Sequence, residues 1–184
     1  MNTLRTVFTP PDGILTPAPP GAPYCIVPMT EAHVDRVSAL EHICFTAPWS
    51  KELLAAELRK DDMCYLVAEV PETGEVVGCA GLQVILDEGS IDNVAVHPDH
   101  RRSGIARALV APFIRFAEVQ LTSLTLEVRA SNEAAIGLYE ALEFTRVGLR
   151  KNYYVKPREH AILMTRRFAF EAVETFTLGT AGDL

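Results

Sequence analysis

The chain has 184 residues, 48% hydrophobic and 22% charged, which is ordinary for one globular domain and excludes wholesale disorder. Seventeen lysines and arginines against 24 aspartates and glutamates give a net charge of −7. That balance argues against bulk binding to nucleic acid or to an anionic membrane, and it suits a partner that is itself basic. No uncharged apolar run approaches the roughly 20 residues that span a bilayer, and the proline-interrupted N-terminus lacks a signal-peptide stretch. The four cysteines (Cys25, Cys44, Cys64, Cys79) have apolar neighbours and no C-x-x-C spacing, so they read as buried free thiols of a cytoplasmic protein. His97 and His100 flank a Pro-Asp pair with no further Cys or His converging on them, and no metal site is expected.

Residues 1–22 carry prolines at 10, 11, 17, 19 and 20 and read as an extended arm. Residues 23–169 read as one folded domain, and 170–184 as a tail without pattern. A short strand is expected over 24–28. Thr30 can cap a helix to about 44, with Val34, Val37, Leu40 and Cys44 on one face. Ala47-Pro48-Trp49 breaks it, and Ser50 caps a second helix to 59. Strands over 64–70, 76–86 and 90–96 follow, joined by tight turns at 71–74 and 87–89, an antiparallel meander.

The period then changes. A polar loop over 97–103 leads into a helix over 104–120, where Pro112 should kink or divide the element. A strand over 124–128, a helix over 131–142 and strands over 144–149 and 161–167 complete the chain. Strand–helix–strand between 90 and 128 implies a crossover and a parallel pair. The fold class is α/β: a mixed, mostly antiparallel central sheet with helices on both faces and a central parallel pair.

The loop Arg101-Arg102-Ser103-Gly104-Ile105-Ala106 has the logic of an anion cradle. The first amides of a helix lack internal partners and sit at the positive end of its dipole. Gly104 lets a ligand approach the backbone, and two arginines add charge to an acidic chain. On its own the hexamer also fits an ordinary loop with a glycine near a helix start.

Its context resembles the acyl-coenzyme A motif of the GNAT acetyltransferase superfamily, [RQ]-x-x-G-x-[GA], which Arg101, Gly104 and Ala106 fit. The resemblance implies that the loop Arg102, Ser103, Gly104, Ile105, Ala106 and Arg107 holds the pyrophosphate of acetyl-coenzyme A. It implies that the strand Val94-Ala95-Val96 splays from its neighbour and faces the acetyl-pantetheine arm. A longer block, Leu126-Glu127-Val128-Arg129-Ala130-Ser131-Asn132 through Leu138-Tyr139-Glu140, is similar to that of RimI-type enzymes, as are Pro48-Trp49-Ser50 and Arg150-Lys151-Asn152-Tyr153-Tyr154. Those enzymes acetylate the N-terminal alanine of the eighteenth small-subunit ribosomal protein. The likeness spans about 24–168 and implies a protein N-terminus as acceptor. The family usually has Leu-Gly-Phe where this chain has Leu142-Glu143-Phe144, which puts that turn's geometry in question.

Acetyl transfer needs a neutral amine, hydrogen bonding to the thioester carbonyl, a proton for the leaving thiolate, and both substrates held together. Glu127 alternates with Leu126 and Val128, so its pattern alone is that of a surface-facing strand residue. The resemblance makes it the proton acceptor. Tyr139 reads alone as a packed tyrosine beside Leu138 and Leu142, and the resemblance makes it the proton donor. Asn132 reads as a helix cap and, by resemblance, also contacts coenzyme A. Trp49 reads equally as a loop anchor or a substrate contact, and Tyr153 and Tyr154 as groove lining or sheet cover. Asp87, Glu88 and Asp92 could attract a basic acceptor or simply be solvated. Two other readings remain: a GNAT enzyme for a small amine or lysine, and a non-catalytic acyl-coenzyme A binding module.

Overall fold

The computed structural model describes residues 22–169. The expected arm over 1–22 (apart from residue 22) and the tail over 170–184 (from its first residue) lie outside the described residues. Seven strands form one sheet in the order β1-β2-β3-β4-β5-β7-β6. They are β1 (Cys25–Pro28), β2 (Met63–Val70), β3 (Glu75–Ile85), β4 (Glu88–Val96), β5 (Ser123–Arg129), β6 (Thr145–Val155) and β7 (Arg158–Arg167). Every pairing is antiparallel except β4 with β5.

The helices cover both faces, as the pattern requires. β2 is apolar at almost every position because both of its sides are buried. Met63, Tyr65 and Val67 pack under α1 (Val34–Cys44) and α2 (Lys51–Glu57). Cys64, Leu66 and Ala68 pack in the opposite layer, which contains α3 (Ile105–Gln120) and Ile136 and Tyr139 of α4 (Glu133–Glu140). Phe113 of α3 is fully enclosed in that second layer.

Several boundaries differ from the sequence reading. The first helix begins as a 3₁₀ turn, Glu31–His33, with the His33 Nδ1 accepting from the Thr30 amide at 2.9 Å. Ser50 caps α2 as expected, accepting from Leu53 N at 3.2 Å. The β3–β4 turn is Leu86-Asp87, not 87–89; Leu86 takes φ +57 and is 93% exposed, and Gly89 belongs to β4. Pro112 does not divide the long helix, which runs unbroken over 16 residues. A proline there removes one amide donor, and the flanking turns bury enough apolar surface to carry the gap. The strand expected over 144–149 extends to Val155, so Tyr153 and Tyr154 lie inside β6. Aromatic and β-branched residues favour the pleated conformation, and the β6–β7 hairpin supplies partners for it. Cys64 and Cys79 are buried thiols, but Cys25 and Cys44 are only half-buried.

The missing glycine after α4 has a clear consequence. Glu143 adopts φ +66, the left-handed conformation that a glycine would take freely. Its amide bonds Glu140 O at 3.0 Å and its carboxylate meets Arg166 at 2.7 Å, which holds the turn in place.

Gly78 of β3 sets how closely α3 lies on the sheet. A Cβ there would fall 2.7 Å from Cγ2 of Ile105, the first residue of α3, and 3.1 Å from the carbonyl of Ala95. Gly78→Val is expected to destabilise the fold by about 1–3 kcal/mol in urea unfolding, through overpacking at the helix start.

Candidate active site

The parallel pair is short. β4 and β5 register only at Glu88↔Ser123, Gly89↔Leu124 and Ser90↔Thr125. Beyond those three pairs the strands part, and a cleft of about 390 Å³ opens between them. β4 supplies Ile91 to Val94 to it, β5 supplies Leu126 to Arg129, and α4 with its N-cap supplies Asn132, Ala135 and Tyr139. The α1–α2 loop (Phe45–Ala47) and the tyrosines Tyr153 and Tyr154 form its outer wall. Thr46 Oγ1 donates to the carbonyl of Lys156, so the loop and the β6–β7 turn meet over one end.

Glu127 stands on the cleft wall, its carboxylate mostly buried and paired with Arg150 at 3.1 Å. The pairing follows from register: Glu127 faces Leu163 and Arg150 faces Ala161 across the shared strand β7. Tyr139 is 6% exposed, with its ring edge-on to Phe144 at 6.0 Å, and it lines the same cleft. Burial raises its phenol pKa far above the usual value, with Tyr154 adding to the effect, so it holds its proton throughout the neutral range. Asn132 caps α4 through Ala135 N at 3.2 Å while facing the cleft. Asn132 thus takes the cap position expected for it.

Tyr153 and Tyr154 stack edge-to-face at 5.1 Å, and the Arg129 guanidinium lies 4.0 Å from the Tyr154 ring centre. Arg129 also pairs with Glu159 at 3.2 Å. Trp49 is not part of the cleft wall. Its ring packs edge-on to Tyr65 at 6.3 Å among the core residues under α1 and α2.

Val94 faces the cleft, whereas Ala95 is buried on the α1 side. The Val96 carbonyl accepts from Arg101 Nε at 3.2 Å and from the Cys44 thiol at 3.4 Å, so Arg101 folds back onto its own strand. Gly104, at φ +85, is the N-cap of α3. The first intrahelical bond runs from Ala108 N to Gly104 O, which leaves the amides of Ile105, Ala106 and Arg107 without intrahelical acceptors. Arg102, Ser103 and Arg107 are exposed around them. This is the geometry of an anion site at a helix start, reached along β4 from the cleft.

The acetyltransferase (GNAT) family pattern matches residues 34–144, more than half of the chain. The chain belongs to the GNAT acetyltransferase family. It is 40% identical over 128 residues to the [ribosomal protein bS18]-alanine N-acetyltransferase of Escherichia coli K12, covering 68% of this chain and 84% of that one. The Haemophilus ducreyi enzyme of the same name is 33% identical over 140 residues, covering 74% and 94%. The crystal structure of the Escherichia coli ribosomal-protein-alanine N-acetyltransferase superposes with a TM-score of 0.73 at 32% identity, covering 83% of this chain and 99% of that one.

Two acidic residues of this GNAT cleft drew little notice in the sequence. Glu41 is 1% exposed, and burial raises its pKa to about 6. Its signal was present: it lies four residues after Val37 and seven after Val34, a charge within an apolar helical stripe. Burial likewise lifts Asp92 to about 6, with the Glu127 charge acting in the same direction. The pairing of Arg150 with Glu127 carried no signal, because the two lie 23 residues apart and two strands across.

Two outcomes test this geometry. Gly104→Val forces a β-branched residue to a positive φ that it rarely adopts, so the helix-start amides re-aim and the dissociation constant for acetyl-coenzyme A rises about tenfold or more by calorimetry. Asp92 is protonated more readily folded than unfolded, so its ionisation opposes folding once pH passes from about 4 to about 6. Asp92→Asn is therefore expected to raise Tm relative to wild type at pH 8 and to leave it unchanged near pH 3.5.

Proposed function

We propose that this chain transfers an acetyl group from acetyl-coenzyme A to the N-terminal α-amino group of a protein, the N-terminal alanine of ribosomal protein bS18 being the acceptor its relatives are named for. The observation that carries this reading is the meeting of Glu127 and Tyr139, from different elements, on one cleft at the point where β4 and β5 part. A simple acyl carrier needs neither group there. No helix among the described residues is long and apolar enough to cross a membrane, and the reading places the enzyme in the cytoplasm beside its basic substrate.

The donor's pyrophosphate sits against the amides of Ile105, Ala106 and Arg107, with Arg101, Arg102 and Ser103 around it, and its pantetheine arm follows Val94 to Val96. Asn132 borders the arm at the start of α4. The acceptor enters between Tyr153, Tyr154 and the α1–α2 loop, which Trp49 anchors. Glu127 takes a proton from the α-ammonium. With a reference pKa of roughly 7.7–8.0, that deprotonation costs only about 1 kcal/mol at neutral pH. The amine nitrogen then attacks the thioester carbon, the new C–N bond forms, and the C–S bond breaks. Tyr139 gives its proton to the departing sulfur, and coenzyme A leaves as the free thiol. The nitrogen loses its second proton as the amide forms, which restores the phenol, and the proton on Glu127 passes to solvent, so the balance closes without a further reactant. Arg150 holds the Glu127 carboxylate on the cleft wall and swings clear as the ammonium arrives.

An open groove flanked by tyrosines suits a peptide better than a small enclosed amine. Mass spectrometry with bS18-derived N-terminal peptides, lysine peptides and polyamines distinguishes these acceptors; acetylation confined to lysine side chains would overturn the reading. Glu127→Gln and Tyr139→Phe are each expected to bind acetyl-coenzyme A normally and to lose roughly 10²–10⁴ in single-turnover rate. Raising pH toward 9 supplies neutral amine from solution and partly restores Glu127→Gln. It does nothing for Tyr139→Phe, because the thiolate still lacks its proton. A wild-type rate for Glu127→Gln across pH 6–9 would show that Glu127 is a plain strand residue.

A further inference from the structure

β4 lines the cleft with Ile91 to Val94, and its ladder with β3 is irregular at that point. Gly81 pairs with Asp92 and Cys79 pairs with Ala95, so Asn93 and Val94 together oppose the single residue Ala80. This is a bulge, and Asn93 sits in it at φ +46. A non-glycine residue in that region is strained unless its surroundings hold it there.

What holds it is the buried carboxylate of Glu41. Oε1 accepts from Asn93 Nδ2 at 3.3 Å, and Oε2 accepts from the backbone amide of Trp49 at 3.2 Å. One side chain from the last turn of α1 therefore grips both the strand on the donor side and the loop on the acceptor side. Both partners are neutral donors, matched to an ionised acceptor. Burial works against the charge and these two hydrogen bonds work for it.

We propose that Glu41 is a positioning residue for acetyl transfer: through Asn93 it fixes the bulge of β4, and through Trp49 it fixes the α1–α2 loop at a set distance from that bulge. It acts through these partners and takes no proton in the reaction. The inference rests on the cleft being the site of transfer, and it adds a residue that the acid–base pair does not include. Without the brace, Asn93 relaxes toward the ordinary strand conformation, the bulge is lost, and the two walls drift apart.

A donor–acceptor exchange tests this. Asn93→Asp puts two carboxylates at hydrogen-bond distance and breaks the grip, and the single-turnover rate is expected to fall about 100-fold, the scale of a 1 Å misplacement. The double variant Asn93→Asp with Glu41→Gln reverses the bond: the new amide donates to the new carboxylate, and its oxygen still serves the Trp49 amide. It is expected to recover the rate to within a fewfold of wild type. The backbone amide resonance of Val94 should move in Asn93→Asp and return in the double variant. That resonance reads the bulge without turnover, so a wrong acceptor assignment leaves the result intact. A Val94 resonance that stays in place in Asn93→Asp, or a folded double variant as slow as a Glu127→Gln enzyme, overturns the proposal.

Discussion

The site exists because one hydrogen-bonded ladder stops early. β4 and β5 run parallel for three residue pairs and then separate. Every other pairing in the sheet is antiparallel and longer. A parallel pair is joined by a crossover rather than a hairpin, here α3, and its ladder is slightly weaker per residue. It is therefore the pairing that can be interrupted at least cost. Parting these strands leaves backbone groups without partners at the centre of the sheet, where a ligand can bond them. The same crossover brings the free amides of α3 to the end of β4. The anion site and the cleft are consequences of one topological choice.

Electrostatics around the cleft are arranged by depth. Glu41 and Asp92 lie deep and are pushed toward neutrality by burial. Glu127 lies nearer the surface and is paired with a half-exposed arginine. Tyr139 is buried enough to stay protonated. An ion pair as exposed as that of Arg150 contributes little to stability and can open readily, as the proposed role of Glu127 requires. The deep pair serves geometry: the Glu41 carboxylate has two neutral donors, as a buried acceptor requires. Arg129 belongs to the frame as well, tying β5 to the β6–β7 turn through Glu159 and the Lys156 carbonyl.

The loop that carries Arg101 shows how local chemistry and tertiary contact divide the work. Gly104 takes the positive φ that starts α3, a property of the residue itself. Gly78, on a different strand, lets the first turn of that helix lie close to the sheet. Arg101 could have projected toward a phosphate, yet it bonds the Val96 carbonyl and steadies the strand end. Arg102 and Arg107 are left exposed beside the helix-start amides.

The order of helices and strands, the parallel pair, the glycine at the helix start and the acid–base candidates were all legible in the sequence. Each depends on residues close together in the chain: alternation in β5, a cap at Asn132, a turn at Gly74. The block from Leu126 to Glu140 was specific enough to name a family. The left-handed turn at Glu143, the true turn at Leu86-Asp87 and the full length of β6 were not legible, because each is decided by partners elsewhere: Arg166, the β3–β4 register and β7. Trp49 illustrates the same limit, since its edge-on packing with Tyr65 joins a loop to a strand and could not be read from the chain. The sequence by itself determined which chemical groups this protein possesses and which local structures carry them. Tertiary structure alone decided which groups meet. The Glu127–Arg150 pair and the Glu41–Asn93 brace join residues whose separation in the chain bears no relation to their separation in space, and register and helix docking set both distances.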